Sequence, residues 1–160
     1  MKKPYEDRPD YYFAYGSNMD ENQMADRVGK GNFEKICVAK LEGYRFAYDG
    51  KSQNWDNKAV ANIIKSNGDV VWGVLYKVGN NRDKFWQSLD GSEGYREDGS
   101  GAYSGAVVEV LGEDGKTYKA WTYLRKEPAE PGEPSERYRK QIIKAAYHHG
   151  LPEEYIEEYL

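Results

Sequence analysis

The chain has 160 residues, enough for one domain with a core of its own and a tight fit for two. Its 23 basic and 27 acidic residues are mixed along the sequence for a net charge of −4, and no block of one sign offers a footprint for a phosphate backbone, which argues against a nucleic-acid partner. No run approaches bilayer length, and the single cysteine, Cys37, has no partner for an internal disulfide, so a soluble, cytoplasmic protein with no membrane partner is expected.

Residues 1–10 carry charge without an apolar segment behind them and read as a flexible N-terminus, leaving residues 11–160 as a single domain. The apolar run 11–15 predicts a short buried strand. It leads through the polar turn Tyr15-Gly16-Ser17-Asn18 into a helix over 20–28, with Asp20 available as its N-cap. Residues 33–47, 59–65 and 70–78 are rich in β-branched and aromatic side chains and predict strands, with Asn67-Gly68-Asp69 as a hairpin turn between the last two. A helix is predicted over 81–89, since Phe85, Trp86 and Leu89 fall at spacings of three and four.

Two further strands, 102–111 and 117–124, are joined by the polar loop Gly112-Glu113-Asp114-Gly115. Residues 126–134 hold three of the six prolines and predict a loop. Ser135 then caps a helix whose inner face carries Tyr138, Ile142, Ala145, Ala146 and His149, with Gly150 as its stop. Pro152, Glu153 and Glu154 open a last short helix. Strands with helices inserted between them predict an α+β domain whose sheet can close into a barrel.

Two segments carry chemistry. A Gly-containing turn that exposes backbone N–H groups at a helix N-terminus is an anion nest, here the amides of Gly16, Ser17 and Asn18 with the Ser17 and Asn18 side chains beside them. Leu89-Asp90-Gly91-Ser92-Glu93-Gly94 places a carboxylate between glycines just past a helix, either a solvated loop carboxylate or a base whose charged form the negative end of the helix dipole and any burial would disfavour. Asp90 reads as a cap of the end of that helix or of a turn, and Glu97 as part of a charged segment with Arg96 and Asp98. Cys37 reads as a small core residue. His148 and His149 are adjacent on a helix, point about 100° apart and cannot share a metal, so a late-helix cation is the expected role and no metal site is assigned. Ser17 lacks a companion histidine, which leaves out a hydrolase triad. Trp55 and the Trp72-Gly73 pair can shape a pocket wall, with core packing as their default.

In order along the chain, 13–19, Val38-Ala39-Lys40-Leu41, Ser52-Gln53-Asn54-Trp55, Val71-Trp72-Gly73-Val74, 89–94 and 147–155 resemble segments of the γ-glutamylcyclotransferase-like proteins, whose hallmark is a Tyr-Gly-Ser-Asn turn after the first strand and a mid-chain glutamate. The resemblance implies a small mixed β-barrel with flanking helices. It implies conversion of a γ-glutamyl amino acid or γ-glutamyl amine to 5-oxoproline plus the free amine, without a cofactor. In those terms Glu93 is the general acid/base, and Tyr15, Gly16, Ser17, Asn18 and Tyr103 hold the substrate. A homodimer is suggested by analogy alone. The Pro-rich segment 126–134 departs from the family pattern by lacking a tyrosine. Asn18 stands where the glutathione-degrading relatives have leucine, which argues against glutathione. The competing reading is a non-catalytic ligand-binding or interaction module on the same fold.

Overall fold

A computed structural model describes residues 5–160. Five strands close into a barrel in the order β1-β3-β2-β4-β5, with four helices on its outside. The short β1 (Tyr11–Ala14) is the hub: it pairs antiparallel with β3, and through Tyr12 with Trp121 of β5 in the one parallel contact recorded between strands. The Thr122 hydroxyl donates to the Phe13 carbonyl at 2.9 Å and reinforces that seam.

Strand β2 (Phe33–Ser52) and β3 (Lys58–Val78) form a single long antiparallel ribbon from Phe33 opposite Val78 to Ser52 opposite Lys58. Here the structure corrects the expected hairpin at Asn67-Gly68-Asp69. Residues 59–65 and 70–78 do not pair with each other; both pair in succession with β2, whose length templates them end to end. Tyr44 faces Lys65 and Glu42 faces Val70, so residues 66–69 bulge out opposite Gly43. Gly68 and Gly43 both adopt positive φ, 90° and 86°, where the strands diverge. The reversal that joins β2 to β3 is instead a 3-10 turn over Gln53–Trp55 followed by left-handed Asp56 and Asn57.

Helix α1 (Glu21–Val28) starts at Asp20, whose side chain accepts from the Asn22 amide at 2.9 Å, and buries Met24 and Val28. Helix α2 spans Arg82–Glu93, not 81–89: its Gly91 is tolerated, and the helix stops at Gly94, left-handed at φ 69°, whose N–H donates to the carbonyls of Asp90 and Gly91. Phe85, Trp86 and Leu89 are buried as predicted. Strands β4 (Tyr103–Gly112) and β5 (Thr117–Arg125) make the expected hairpin. The segment 126–134 crosses the β2–β3 end through bridges of Pro131 to Asp49 and Pro134 to Ala59. Helices α3 (Glu136–His149), capped by Ser135, and α4 (Glu153–Tyr159) close the fold. No described helix is long and apolar enough to cross a membrane.

The N-terminal expectation covers residues 1–10, of which 1–4 lie outside the described residues. From Tyr5 onward the segment is tied down: Arg8 forms a bidentate ion pair with Asp90, and Arg82 pairs with Asp10 at 2.8 Å.

Candidate active site

At the open end of β1 the chain cannot continue straight. Gly16 sits against β3, where an added Cβ would stand 3.0 Å from the Ala61 Cβ, so a larger residue would fit only if that neighbour shifted. Ser17–Met19 then wind one 3-10 turn, with the Met19 and Asp20 amides bonded back to the carbonyls of Gly16 and Ser17 at 3.0 Å. The amides of Gly16, Ser17 and Asn18 find no backbone acceptor among the described residues. Tyr76 secures the far side of the turn, its hydroxyl lying 3.0 Å from the Asn18 carbonyl and 3.1 Å from that of Met19.

Glu93 reaches this turn from the last residue of α2. Its Oε1 accepts from Asn18 Nδ2 at 2.7 Å, and that same amide group donates to the Tyr12 hydroxyl at 3.0 Å. The other end of Asn18 accepts from Gln23 Nε2 and Arg27 Nη1, both at 2.9 Å. Because a guanidinium can only donate, Arg27 fixes which end of the amide is oxygen, and the NH₂ must face Glu93. Gln23 and Arg27 lie four residues apart on α1, so burial of Met24 and Val28 turns both toward the site.

Tyr12, Tyr15, Gly16, Ser17, Asn18, Ala61, Glu93, Tyr123 and Tyr138 line a cavity of about 40 Å³, room for a small polar group or a few waters. It continues into a cleft of about 80 Å³ bordered by Arg27, Ser52, Asn54, Trp55, Ser92, Tyr103 and Tyr138. The expected residues Tyr15, Gly16, Ser17, Asn18 and Glu93 thus meet in one pocket, with Tyr103 on the adjoining cleft.

Their roles divide differently from the expectation. Asn18 has both donors and its acceptor oxygen engaged, so its side chain orients Glu93 rather than reaching out to a ligand. The Ser17 hydroxyl accepts from Gln23 at 2.8 Å and keeps its own proton to donate. The Tyr15 hydroxyl donates to the Tyr123 carbonyl at 2.5 Å, a structural contact.

Burial pushes the Glu93 carboxyl above its usual range, with the Asp90 charge adding to that effect. The nearby Arg27 charge and the Asn18 hydrogen bond pull the other way. The side chain is 25% exposed through the pocket mouth, and Arg27 at 3.8 Å is too far for a hydrogen bond, so neither water nor a direct ion pair fully compensates. Burial also raises Tyr12, Tyr15, Tyr103 and Tyr138, which remain neutral phenols. Tyr138 accepts the Ala61 amide at 2.9 Å and keeps its phenolic proton for the pocket.

Other expectations change on inspection. The Asp90 side chain is no cap, although its backbone carbonyl accepts at the helix end: its carboxylate takes the Arg8 fork at 2.7 and 2.8 Å and the Tyr123 hydroxyl at 2.5 Å. His149 is no late-helix cation, because it is buried, burial lowers its pKa, and its Nε2–H donates to the Met19 carbonyl at 2.7 Å. Burial raises the Cys37 thiol, which fits a core residue. Trp55 does border the cleft. Sequence reasoning passed over Tyr12, Arg27, Tyr123 and Tyr138; Tyr138 was read as core from its place on the inner face of α3, and its hydroxyl was the neglected signal.

A closed mixed barrel with one acid set against a Gly-Ser-Asn turn has recognisable relatives. Residues 70–159 match the AIG2-like family. Over 151 residues the chain is 36% identical to human gamma-glutamylcyclotransferase, covering 92% of this chain and 75% of that one. The mouse protein of the same name is 34% identical over 153 residues at the same coverage. A solved gamma-glutamyl cyclotransferase superposes with a TM-score of 0.80 at 33% identity, over 93% of this chain and 85% of that one. The chain belongs to the AIG2-like family. Like the gamma-glutamylcyclotransferases it matches along most of its length, it is an enzyme.

Proposed function

We propose that the protein converts a γ-glutamyl amino acid or γ-glutamyl amine into 5-oxoproline and the free amine, with Glu93 as the proton shuttle. The α-ammonium of the γ-glutamyl group gives a proton to the Glu93 carboxylate. The freed amine attacks the γ-carbonyl carbon to form the C–N bond of a five-membered ring, and the carbonyl electrons move onto oxygen. The unpaired amides of Gly16, Ser17 and Asn18, with the Ser17 hydroxyl, are suited to that oxyanion or to the α-carboxylate. As the oxyanion collapses, the bond to the departing amine breaks and Glu93 returns the proton to it; the same carboxylate then takes the extra proton from the ring nitrogen and passes it on, so that the amine leaves as an ammonium ion.

The observation that carries this reading is the 2.7 Å contact between Glu93 and Asn18, which sets a proton-affine carboxyl at the edge of a cradle of free amides. The small cavity suits the reacting end, and the wider cleft toward Trp55 and Tyr103 suits the departing amine. Released 5-oxoproline is to be measured over a panel of γ-glutamyl amino acids and amines, with equal folded content checked by circular dichroism. Glu93→Gln preserves the Asn18 contact and removes the base, so turnover should fall by about 10²- to 10⁴-fold. Equal activity of the two proteins would rule the mechanism out; inactivity of both over the whole panel would rule out γ-glutamyl amino acids and amines as the substrates.

A further inference from the structure

Arg8 belongs to the segment ahead of β1, yet its side chain is only 8% exposed. Its two terminal nitrogens hold the two oxygens of Asp90 at 2.7 and 2.8 Å. Its guanidinium carbon lies 4.1 Å from the Trp121 ring centre, 5.0 Å from that of Trp86 and 5.2 Å from that of Tyr95. A planar fork against a carboxylate and between aromatic faces is what arginine provides and lysine does not. Asp90 Oδ1 also accepts from Tyr123 at 2.5 Å, and Tyr123 is a wall of the pocket. Asp90 precedes Glu93 by three residues and so lies on the same side of α2. At the helix's other end Arg82 pairs with Asp10 and donates to the Arg8 carbonyl.

We propose that Arg8 is a positioning residue for Glu93: by pairing with Asp90 it fixes the last turn of α2 against Tyr123 and offsets part of a like charge one turn from the reacting carboxyl. The charged and titratable groups facing Glu93 are Arg27 from α1, Tyr12 and Tyr15 from β1 and its end, Tyr103 from β4, Tyr123 from β5, Tyr138 from α3 and Asp90 from its own helix. The phenols stay neutral and Arg27 is common to every variant below, so Asp90 is the charge that Arg8 governs. The inference rests on Glu93 acting as the proton shuttle, but its test does not require turnover.

The probe is the titration of Glu93 by carbon-13 NMR of glutamate-labelled protein, its resonance assigned by its loss in Glu93→Gln. Arg8→Met keeps the aliphatic stem and leaves Asp90 unpaired, so the Glu93 midpoint should rise by about half a pH unit or more. Arg8→Met/Asp90→Asn removes both charges and should bring it back toward wild type. Arg8→Lys keeps the charge without the fork and should fall between. Asp90→Asn alone should lower the midpoint and covers the case in which Arg8→Met does not fold. An unmoved midpoint in Arg8→Met, or in Asp90→Asn where that is the folded variant, overturns the proposal and leaves Arg8 a fastener of the N-terminal segment. If the midpoints move as expected while no γ-glutamyl compound is turned over, the positioning stands and the reaction reading fails.

Discussion

Asn18 engages both ends of its amide within the protein, and the site depends on its doing so. It joins two donors on α1, Gln23 and Arg27, to the carboxyl at the end of α2, with Tyr12 of β1 completing the junction. Asn18→Ala would take an acceptor from the partly buried Arg27 and Gln23, at about 1 kcal/mol of stability, and would let Glu93 wander. A displacement near 1 Å can cost about a hundredfold in rate, so kcat/KM for 5-oxoproline release should drop by about one to two orders of magnitude in protein that is still folded. A value within twofold of wild type would show that Glu93 is held by other contacts.

The carboxyl itself makes a second prediction, about stability. Burial raises its proton affinity in the native state, so between its ordinary range and its raised native value the folded protein binds more protons than the unfolded chain. Stability from this group is therefore complete at low pH and lost as pH rises through that window. Glu93→Gln cannot ionise. Relative to wild type it should gain stability as pH climbs from the ordinary glutamate range through the raised native value and hold the gain above that, read as urea midpoints across the series. A difference between the two proteins that does not change with pH would mean that Glu93 ionises as easily inside as outside.

At the scale of elements, α2 matters for where it ends. Gly94 carries φ 69° and closes the helix onto Asp90 and Gly91, so Glu93 is the last helical residue and points back to the turn after β1. A Cβ at Gly94 would meet only Tyr103 at 3.8 Å, ordinary contact, so Gly94→Ala is penalised by the left-handed backbone and not by crowding. The expected cost is about 1–2 kcal/mol, seen as a Tm lowered by a few degrees, with a larger proportional loss of kcat/KM than a matched surface helix variant shows. An unchanged Tm would mean that the helix end tolerates an alternative stop.

Across the whole molecule, the barrel is closed by narrow seams. Strands β2 and β4 share only the Ala39–Gly112 and Lys40–Leu111 pairings, and β1 meets β5 at one. A buried polar clamp bridges strands at the site's edge. Asp49 of β2, 1% exposed, accepts from Arg125 of β5 at 3.2 Å and from Asn62 of β3 at 2.8 Å, while the Asn62 oxygen takes the Arg125 amide at 2.9 Å. Arg125 also donates to the Tyr103 hydroxyl at 2.9 Å, so the clamp steadies the cleft as well. Asp49→Ala strands a largely buried guanidinium and should cost about 3–5 kcal/mol in urea unfolding. A loss below about 1 kcal/mol would show that water or Tyr103 takes over the pairing.

How much of this was readable in advance depended on distance along the chain. The caps Asp20 and Ser135, the stop at Gly150 and the inward faces of α2 and α3 follow from neighbours within a few residues, so hydrophobic spacing and turn chemistry sufficed. The resemblance to γ-glutamylcyclotransferase-like proteins likewise rested on short segments in order, and it named Glu93 and the turn Tyr15-Gly16-Ser17-Asn18. The missed features were long-range. Asn67-Gly68-Asp69 has the composition of a hairpin and becomes a bulge because a partner strand 20 residues long runs past it. Asp90 looks like a cap until Arg8, 82 positions away, claims it.

The sequence by itself therefore determined which segments are helix or strand and which residue types could carry a proton and bind an anion. Only the tertiary structure decided their division of labour, turning Asn18 into the support of Glu93, Tyr138 into a pocket wall and His149 into a buried neutral donor. Burial and charge pairing are set by whatever the closed barrel brings alongside, and that is decided in space, not by position along the chain.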